Sequence, residues 1–180
     1  MSYDISKYER TIQEIADSSP YVVFLCGPSM KSYTKPSSSL RKLIKDELES
    51  ESFEVVLGED DGLVDLQTDL GGDAQTNELG FFINNANAIV LIADSPGSFA
   101  ELGLFSHVHS ALQKQVQFIL IIDKSFESDE CYISQGPIRI VDVHGKIFFI
   151  DYNENDPPIR TTIDKTIALL KAARFRTFLK

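Results

Sequence analysis

Short apolar runs rich in β-branched residues recur along this chain and alternate with segments of helical periodicity. The runs are YVVFLC (21–26), FEVVL (53–57), AIVLIA (88–93) and VQFILIID (116–123), with a fifth candidate in KIFFIDY (146–152). Runs of this kind, bounded by turn residues, are typical of strands buried on both faces of a parallel sheet. The alternation implies right-handed crossovers. It therefore predicts an α/β fold with a doubly wound, mostly parallel sheet and flanking helices.

The intervening segments place apolar residues at helical spacing. Between the first two runs, SSSLRKLIKDELESES offers serines as N-caps and an apolar stripe of Leu40, Leu43, Ile44 and Leu48. Further helices are predicted in SYDISKYERTIQEIADS, QTNELGFFINNA, FAELGLFSHVHSALQ and TTIDKTIALLKAARF. The segment ESDECYISQGPIRIVDVHG (127–145) fits neither period, and we expect an excursion that carries a β-hairpin.

No internal repeat or linker interrupts this pattern, so one domain is predicted over residues 1–180. Within it we expect an N-terminal helix over 1–19, the core motifs over 20–123, and a C-terminal strand and helix over 124–180.

Composition narrows the classes of function. The chain has 180 residues and is 43% hydrophobic, which suits a globular domain with a substantial core. No apolar run approaches the ~20 residues needed to span a bilayer, and the N-terminus lacks an apolar signal core. A cytoplasmic protein without a membrane partner is therefore expected. The cysteines and histidines are too few and too scattered to predict a disulfide framework or a metal site.

The net charge of −10 predicts that the chain as a whole repels polyanions. The C-terminal KAARFRTFLK (171–180) is the exception, because its basic residues are interleaved with Phe175 and Phe178. These cations have an ordinary explanation as partners of the negative end of the last helix. The alternative is a docking tail for a protein or nucleic-acid partner.

The candidate site lies beyond the carboxyl ends of the predicted strands, where open α/β sheets bind their ligands. After the first strand, CGPSMKSY supplies Gly27, Ser29, Lys31 and Ser32. After the second, a long loop that resembles a lid carries six acidic residues: Glu59, Asp60, Asp61, Asp65, Asp69 and Asp73. After the third, ADSPGSFAE introduces a helix with Glu101 expected in its first turn.

Each loop also has an ordinary structural explanation. Gly-Pro after a strand is a common turn, an acidic loop is usually solvated surface, and Ser98 with Glu101 has the spacing of a capping box. Their convergence favours a ligand-binding site, because the first and third loops should meet where the strand order reverses. There Gly27, Ser29, Asp94, Ser98 and Glu101 would form a hydroxyl-lined pocket with one carboxylate. Such a pocket can hold a sugar and stabilise or attack an oxocarbenium-like centre.

Nucleotide-binding and hydrolase motifs are missing from the sequence. It contains no G-x-G-x-x-G, no G-x-x-x-x-G-K-[ST] and no G-x-S-x-G. A Rossmann dinucleotide site, a P-loop and a serine-hydrolase elbow are therefore unsupported.

The pair of motifs LCGPS and GSFAELG resembles the nucleoside 2-deoxyribosyltransferase family, which is related to LOG-like or SLOG domains. Gly97, Ser98 and Glu101 match the family's Gly-Thr-x-x-Glu element, with serine in place of threonine. The resemblance implies a flavodoxin- or Rossmann-like sheet, Glu101 as the nucleophile on the anomeric carbon, and an upstream acid that handles the base. Asp94 takes that last place at an offset one residue longer than usual.

The same resemblance implies a biological setting. Related proteins build their active sites at subunit contacts, so a homo-oligomer is expected. Divergent relatives act as effectors of bacterial anti-phage systems, including retron-associated ones, where the implied activity destroys a nucleotide pool such as NAD.

The sequence thus predicts an enzyme, a hydrolase or a transferase, that cleaves the N-glycosidic bond of a nucleoside or nucleotide without a metal or bound cofactor. Glu101 and Asp94 are the predicted catalytic residues. The predicted substrate-binding residues are Gly27, Pro28 and Ser29 on the pocket floor, with Ser95, Gly97 and Ser98 at the helix N-terminus. Two alternatives remain: a nucleotide-sensing module that binds without chemistry, and an adaptor subunit with a vestigial pocket.

Overall fold

A computed structural model describes residues 5–18, 20–30, 35–59, 72–111, 116–152 and 158–177. The helices are α1 (Ile5–Ser18), α2 (Pro36–Ser50), α3 (Ala74–Asn84), α4 (Pro96–Ala111), α5 (Arg139–His144) and α6 (Pro158–Thr177). The strands are β1 (Val22–Cys26), β2 (Glu54–Leu57), β3 (Ala88–Ala93), β4 (Gln117–Asp123) and β5 (Lys146–Ile150).

The strands form one parallel sheet in the order β2-β1-β3-β4-β5. The predicted α/β class and doubly wound sheet are confirmed, including the fifth strand. Chain order reverses between β1 and β3, which pair with Val23 opposite Ala88 and Cys26 opposite Leu91. The loops that follow these two strands therefore emerge side by side at the switch point of the sheet.

Successive strand residues point to opposite faces, so the sheet separates two buried clusters. On one face Leu25, Val90 and Ile92 pack with apolar residues of α2 and α6. On the other face Phe24 and Leu91 pack with residues of α3, α4 and α5. The helices that carry the candidate site thus approach the switch point from both sides of the sheet.

Residues 132–144 within the segment 127–145 are helical, so the expected β-hairpin is wrong. A 3₁₀ helix (Lys124–Glu127) precedes a π-helical turn (Ser134–Ile138) that leads directly into α5. The buried residues of this stretch are Ser134, Pro137, Ile138 and Val141, which have helical spacing. Gly136-Pro137 looks like a turn in the sequence. Proline has no N–H to donate to the hydrogen bonds of a regular α-helix, and the wider π-helical turn accommodates it.

Helix α2 differs from its predicted pattern in two ways. Leu43 is 50% exposed, whereas Arg41 is 1% exposed and takes the central place of the buried stripe. The serines do not cap the helix: Lys35 occupies the N-cap without a side-chain hydrogen bond, and Pro36 opens the first turn.

The C-terminal helix is held to the end of α2 by two of the predicted tail cations. Arg174 is buried, donates from Nη1 to the carbonyls of Glu51 and Ser52 at 3.1 Å each, and stacks over the Phe53 ring at 4.2 Å. Lys171 pairs with Glu51 at 2.6 Å. These contacts give Lys171 and Arg174 an intramolecular role at the end of α2, which differs from the predicted pairing with the end of their own helix. Residues 178–180 of the proposed tail lie outside the described residues.

Candidate functional site

The turn after β1 presses against the end of β3. Gly27 has a φ of 145°, and a Cβ atom there would lie 3.0 Å from the Ile92 carbonyl oxygen and 3.1 Å from the Ile92 Cβ. Only glycine combines that backbone conformation with such a close approach. The structure therefore brings the first and third loops together.

The turn after β3 is closed by a reciprocal capping box one turn earlier than expected. Ser95 Oγ accepts from the Ser98 N–H at 3.2 Å, and Ser98 Oγ accepts from the Ser95 N–H at 2.9 Å and the Asp94 N–H at 3.0 Å. Helix α4 consequently begins at Pro96, which places Glu101 in the second turn rather than the first. The alternative of a Ser98–Glu101 capping box is wrong, and the Glu101 carboxylate is not needed to cap α4.

Glu101 is half-buried, and its Oε2 atom is buried without a hydrogen-bond partner. Burial raises the pKa of its carboxyl to about 7, and the charges of Glu78 and Glu59 add to the rise while Arg41 opposes it. A carboxylate with this pKa is half ionised at neutral pH, which suits it to bond-making or proton transfer.

Glu78 reaches the same region from α3. A Cβ atom on Gly58 would lie 2.5 Å from Glu78 Oε1, so this carboxylate covers the backbone that follows β2. Burial is the main cause that raises the pKa of Glu78, and the charge of Glu59 adds to the rise. Sequence reasoning did not select Glu78 as a site residue. A signal exists, since Glu78 lies one turn before the buried Phe82 on the face that α3 turns to the core.

Arg41 lies at the centre of the cluster. Its guanidinium donates to the carbonyl oxygens of Leu25 (2.7 Å) and Pro28 (3.2 Å). It also forms a two-point ion pair with Glu59, at 2.7 and 2.9 Å. Sequence reasoning missed Arg41 as well; the signal was its spacing, since Arg41 precedes Ile44 by three residues and Leu48 by seven and so shares their helical face.

Cys26, at the end of β1, is surrounded by this cluster. Burial is the main cause that raises the pKa of its thiol well above the ordinary range, and the charge of Glu101 adds to the rise. The thiol therefore stays protonated at neutral pH. The structure thus brings together Glu101, Glu78, Glu59, Arg41 and Cys26.

Asp94 has different partners. Its Oδ2 atom accepts from the Ser37 hydroxyl at 2.5 Å and lies 3.6 Å from Lys35 Nζ, both at the start of α2. Burial is the main cause that raises the pKa of Tyr152, and the charge of Asp94 adds to the rise. The charges that act on Glu101 come from Glu78, Arg41 and Glu59. The two predicted catalytic residues therefore have different interaction partners.

The other predicted site residues differ in exposure. Pro28 and Ser98 are buried, Ser95 is half-buried, and Ser29 and Gly97 are exposed. Asp73 of the acidic loop caps α3, accepting from the Thr76 N–H at 2.8 Å. The remaining predicted loop residues, Lys31, Ser32, Asp60, Asp61, Asp65 and Asp69, lie outside the described residues.

The described ranges contain neither a metal-binding cluster nor a membrane-spanning helix. No group of three or more His, Cys, Asp or Glu within them has an arrangement that would hold a metal ion. None of the helices described is long and apolar enough to cross a membrane.

Comparison with known proteins gives a family. Residues 37–178 match the family described as STM3845 retron effector protein. An Escherichia coli protein named "Retron Ec86 putative ribosyltransferase/DNA-binding protein" is 29% identical over 119 residues. That match covers 66% of this chain and 36% of the relative, so the chain spans about a third of the relative's length. A crystal structure of a conserved protein from Enterococcus faecalis V583 aligns with a TM-score of 0.47 at 10% identity, over 83% of this chain and 99% of that one.

Proposed function

Because the chain belongs to the STM3845 retron effector protein family, we propose that it is an anti-phage effector that cleaves the N-glycosidic bond of a nucleoside or nucleotide such as NAD. The observation that carries this proposal is Glu101. Its Oε2 atom is buried and unpartnered beside the switch point of the sheet, and the pKa of its carboxyl is raised to about 7. The name of the Ec86 relative, which includes ribosyltransferase, supports the same class of chemistry.

In the proposed reaction, ionised Glu101 attacks the anomeric carbon of the sugar. The bond from that carbon to the base nitrogen breaks, its electron pair leaves with the base, and a glycosyl ester forms on Glu101. Water then attacks the same carbon, the ester bond breaks to release the carboxylate, and the proton of the water passes to the released base or to solvent. A second base in place of water would give transfer instead. Positive charge develops on the sugar in both steps, and the carboxylates of Glu78 and Glu59 stabilise it electrostatically.

The leaving base must be oriented or protonated, and two carboxylates are candidates. Asp94 is the residue expected from the family pattern, and its contacts with Ser37 and Lys35 would hold it at the rim of the site. Glu78 is favoured by its charge coupling to Glu101. Comparing Asp94→Asn with Glu78→Gln assigns the role, because loss of the group that protonates the base lowers turnover more for bases that leave as anions than for nicotinamide, which leaves neutral.

Substrate contacts are proposed at the two turns. Gly27, Pro28 and Ser29 would form the floor, and exposed Gly97 with Ser95 would present the helix N-terminus to a sugar or phosphate. The Ser98 hydroxyl accepts two turn N–H groups and donates to the Ser95 carbonyl at 3.0 Å. We therefore assign Ser98 to shaping the turn that contacts substrate.

Partners are proposed from the family. A retron effector implies association with the other retron components, such as the reverse transcriptase or its msDNA product. A homo-oligomer is proposed as well, and the basic end of the chain (176–180) is the segment we assign to partner contact.

The experiment is a base-release assay. The protein is incubated with NAD and with a panel of nucleosides, and chromatography measures free base. Glu101→Gln should abolish release, whereas Glu54→Gln, the same chemical change at an exposed position on β2, should not. Nucleotide binding without release would support the sensing module. Neither binding nor release, together with a tightly co-purified partner, would support the adaptor.

A further inference from the structure

Arg41 is the feature that the proposed chemistry leaves unused. It is 1% exposed and lies in a helix face otherwise made of Ser37, Leu40, Ile44 and Leu48. Its Nη1 and Nη2 atoms make the bonds to Leu25, Pro28 and Glu59 described above, while its buried Nε atom has no partner. A guanidinium this deep, with one donor unused, is expensive to bury.

Stability alone does not explain such a residue. Arg41 is almost fully buried but the Glu59 side chain is 35% exposed, so solvent screens their attraction and it offsets only part of the cost of burying the guanidinium. Methionine or leucine would continue the apolar stripe of α2 at this position. Arg41 therefore has a role that an apolar residue would not supply.

The contacts of Arg41 indicate that role. The two carbonyls that it binds flank the Gly27 turn, so the guanidinium sets the position of the loop after β1. Glu59 follows β2, so the ion pair connects that loop to the loop after β1. Its fixed fork engages both oxygens of Glu59, a geometry that lysine cannot reproduce.

The same ion pair acts electrostatically on the proposed reacting group. Glu101 on α4 is influenced by Glu78 from α3, Arg41 from α2 and Glu59 after β2, and Cys26 lies among them on β1. Arg41 is the positive member of this set.

We propose that Arg41 and Glu59 are positioning residues of the active site. Their two-point ion pair fixes the turn that carries Gly27 and Pro28 and holds one positive charge within electrostatic range of the Glu101 carboxyl. The inference rests on the proposed function for its kinetic part only, since the ionisation of Glu101 can be measured without turnover.

The test combines three variants with a titration of Glu101. Carbon-13 NMR follows the side-chain carboxyl against pH, and the signal lost in Glu101→Gln identifies the residue. Arg41→Met removes the positive charge and should raise the titration midpoint above that of the parent. Glu59→Gln removes a negative charge and should lower it. Arg41→Lys keeps the charge without the fork, so the midpoint should stay close to that of the parent.

Kinetics then separate charge from geometry. If base release is observed for the parent, Arg41→Lys should lower kcat/KM by about 10²-fold, although its titration midpoint stays close to that of the parent. A loss of this size is expected when a turn that lines the site is displaced. Circular dichroism melts check that each variant is folded.

Midpoints that do not move in opposite directions in folded Arg41→Met and Glu59→Gln would overturn the charge role. An Arg41→Lys enzyme as active as the parent would overturn the geometric role. A parent that releases no base contradicts the proposed function instead, and the titration still decides the charge role of the ion pair.

Discussion

At the scale of single residues, the site depends on one carboxyl group kept partly protonated by its surroundings. Glu101 has a pKa of about 7 against an ordinary value of 4.5, because burial disfavours its charged form and the charge of Glu78 adds to the effect. A raised carboxyl pKa stabilises the fold at low pH, and this contribution is lost as the pH rises through about 7. The proposed catalytic group therefore destabilises the protein under the conditions in which it is ionised.

The first prediction concerns pH and activity. As a nucleophile, Glu101 must be ionised, so kcat/KM should rise with pH and level off above about 7. Below that pH it should fall about tenfold per unit. Initial rates of base release across the pH range test this. A profile that instead falls through neutral pH would assign Glu101 as a general acid.

The second prediction uses the same group to test stability. Glu101→Gln should melt at a higher temperature than the parent at pH 8, because the amide removes a buried negative charge. The difference should shrink towards pH 5, where the parent carboxyl is protonated. A pH-independent difference between the two melting temperatures would contradict the raised pKa.

The third prediction compares two glycines. Gly27→Ala should destabilise the protein by about 1–3 kcal/mol, since φ is 145° and the new Cβ would lie 3.0 Å from the Ile92 carbonyl oxygen. Gly97→Ala is the matched control, because a Cβ there has nothing closer than Ser95 Oγ at 4.0 Å. Urea denaturation of both variants measures the difference, and equal stabilities would show that the Gly27 turn is not constrained.

At the scale of helices and strands, turn chemistry directs side chains to the site. The Ser95–Ser98 capping box starts α4 early enough to place Glu101 one turn inside the helix. The π-helical turn at Ser134–Ile138 lets Pro137 lie within a helix that packs on the sheet. On α2, an arginine replaces an apolar residue in the buried stripe.

The fourth prediction concerns the structural role of the C-terminal cations. Arg174→Gln should lower the melting temperature, because it removes two hydrogen bonds to carbonyls and a cation–π contact with Phe53. Arg176→Gln, at an exposed position, should leave the melting temperature unchanged. Equal melting temperatures for the two variants would contradict the docking of α6 through Arg174.

At the scale of the whole molecule, strand positions were predictable and parts of the site were not. The apolar runs gave the strands because full burial in a parallel sheet demands continuous hydrophobicity. The convergence of Gly27 with the third loop followed from strand order alone. Arg41 and Glu78 were missed because a helical period identifies buried positions but treats a charged residue among them as solvent-facing. The Pro137 helix was missed because local turn preference was given more weight than the spacing of its buried residues.

Base release by the parent and by Glu101→Gln, with Glu54→Gln as the control, decides whether Glu101 is the nucleophile. We predict that the parent and Glu54→Gln release free base from NAD or a nucleoside, and that Glu101→Gln, while still folded, is at least ~10³-fold slower. Near-parental turnover by folded Glu101→Gln would contradict the central claim, because the reaction would then not need this carboxylate.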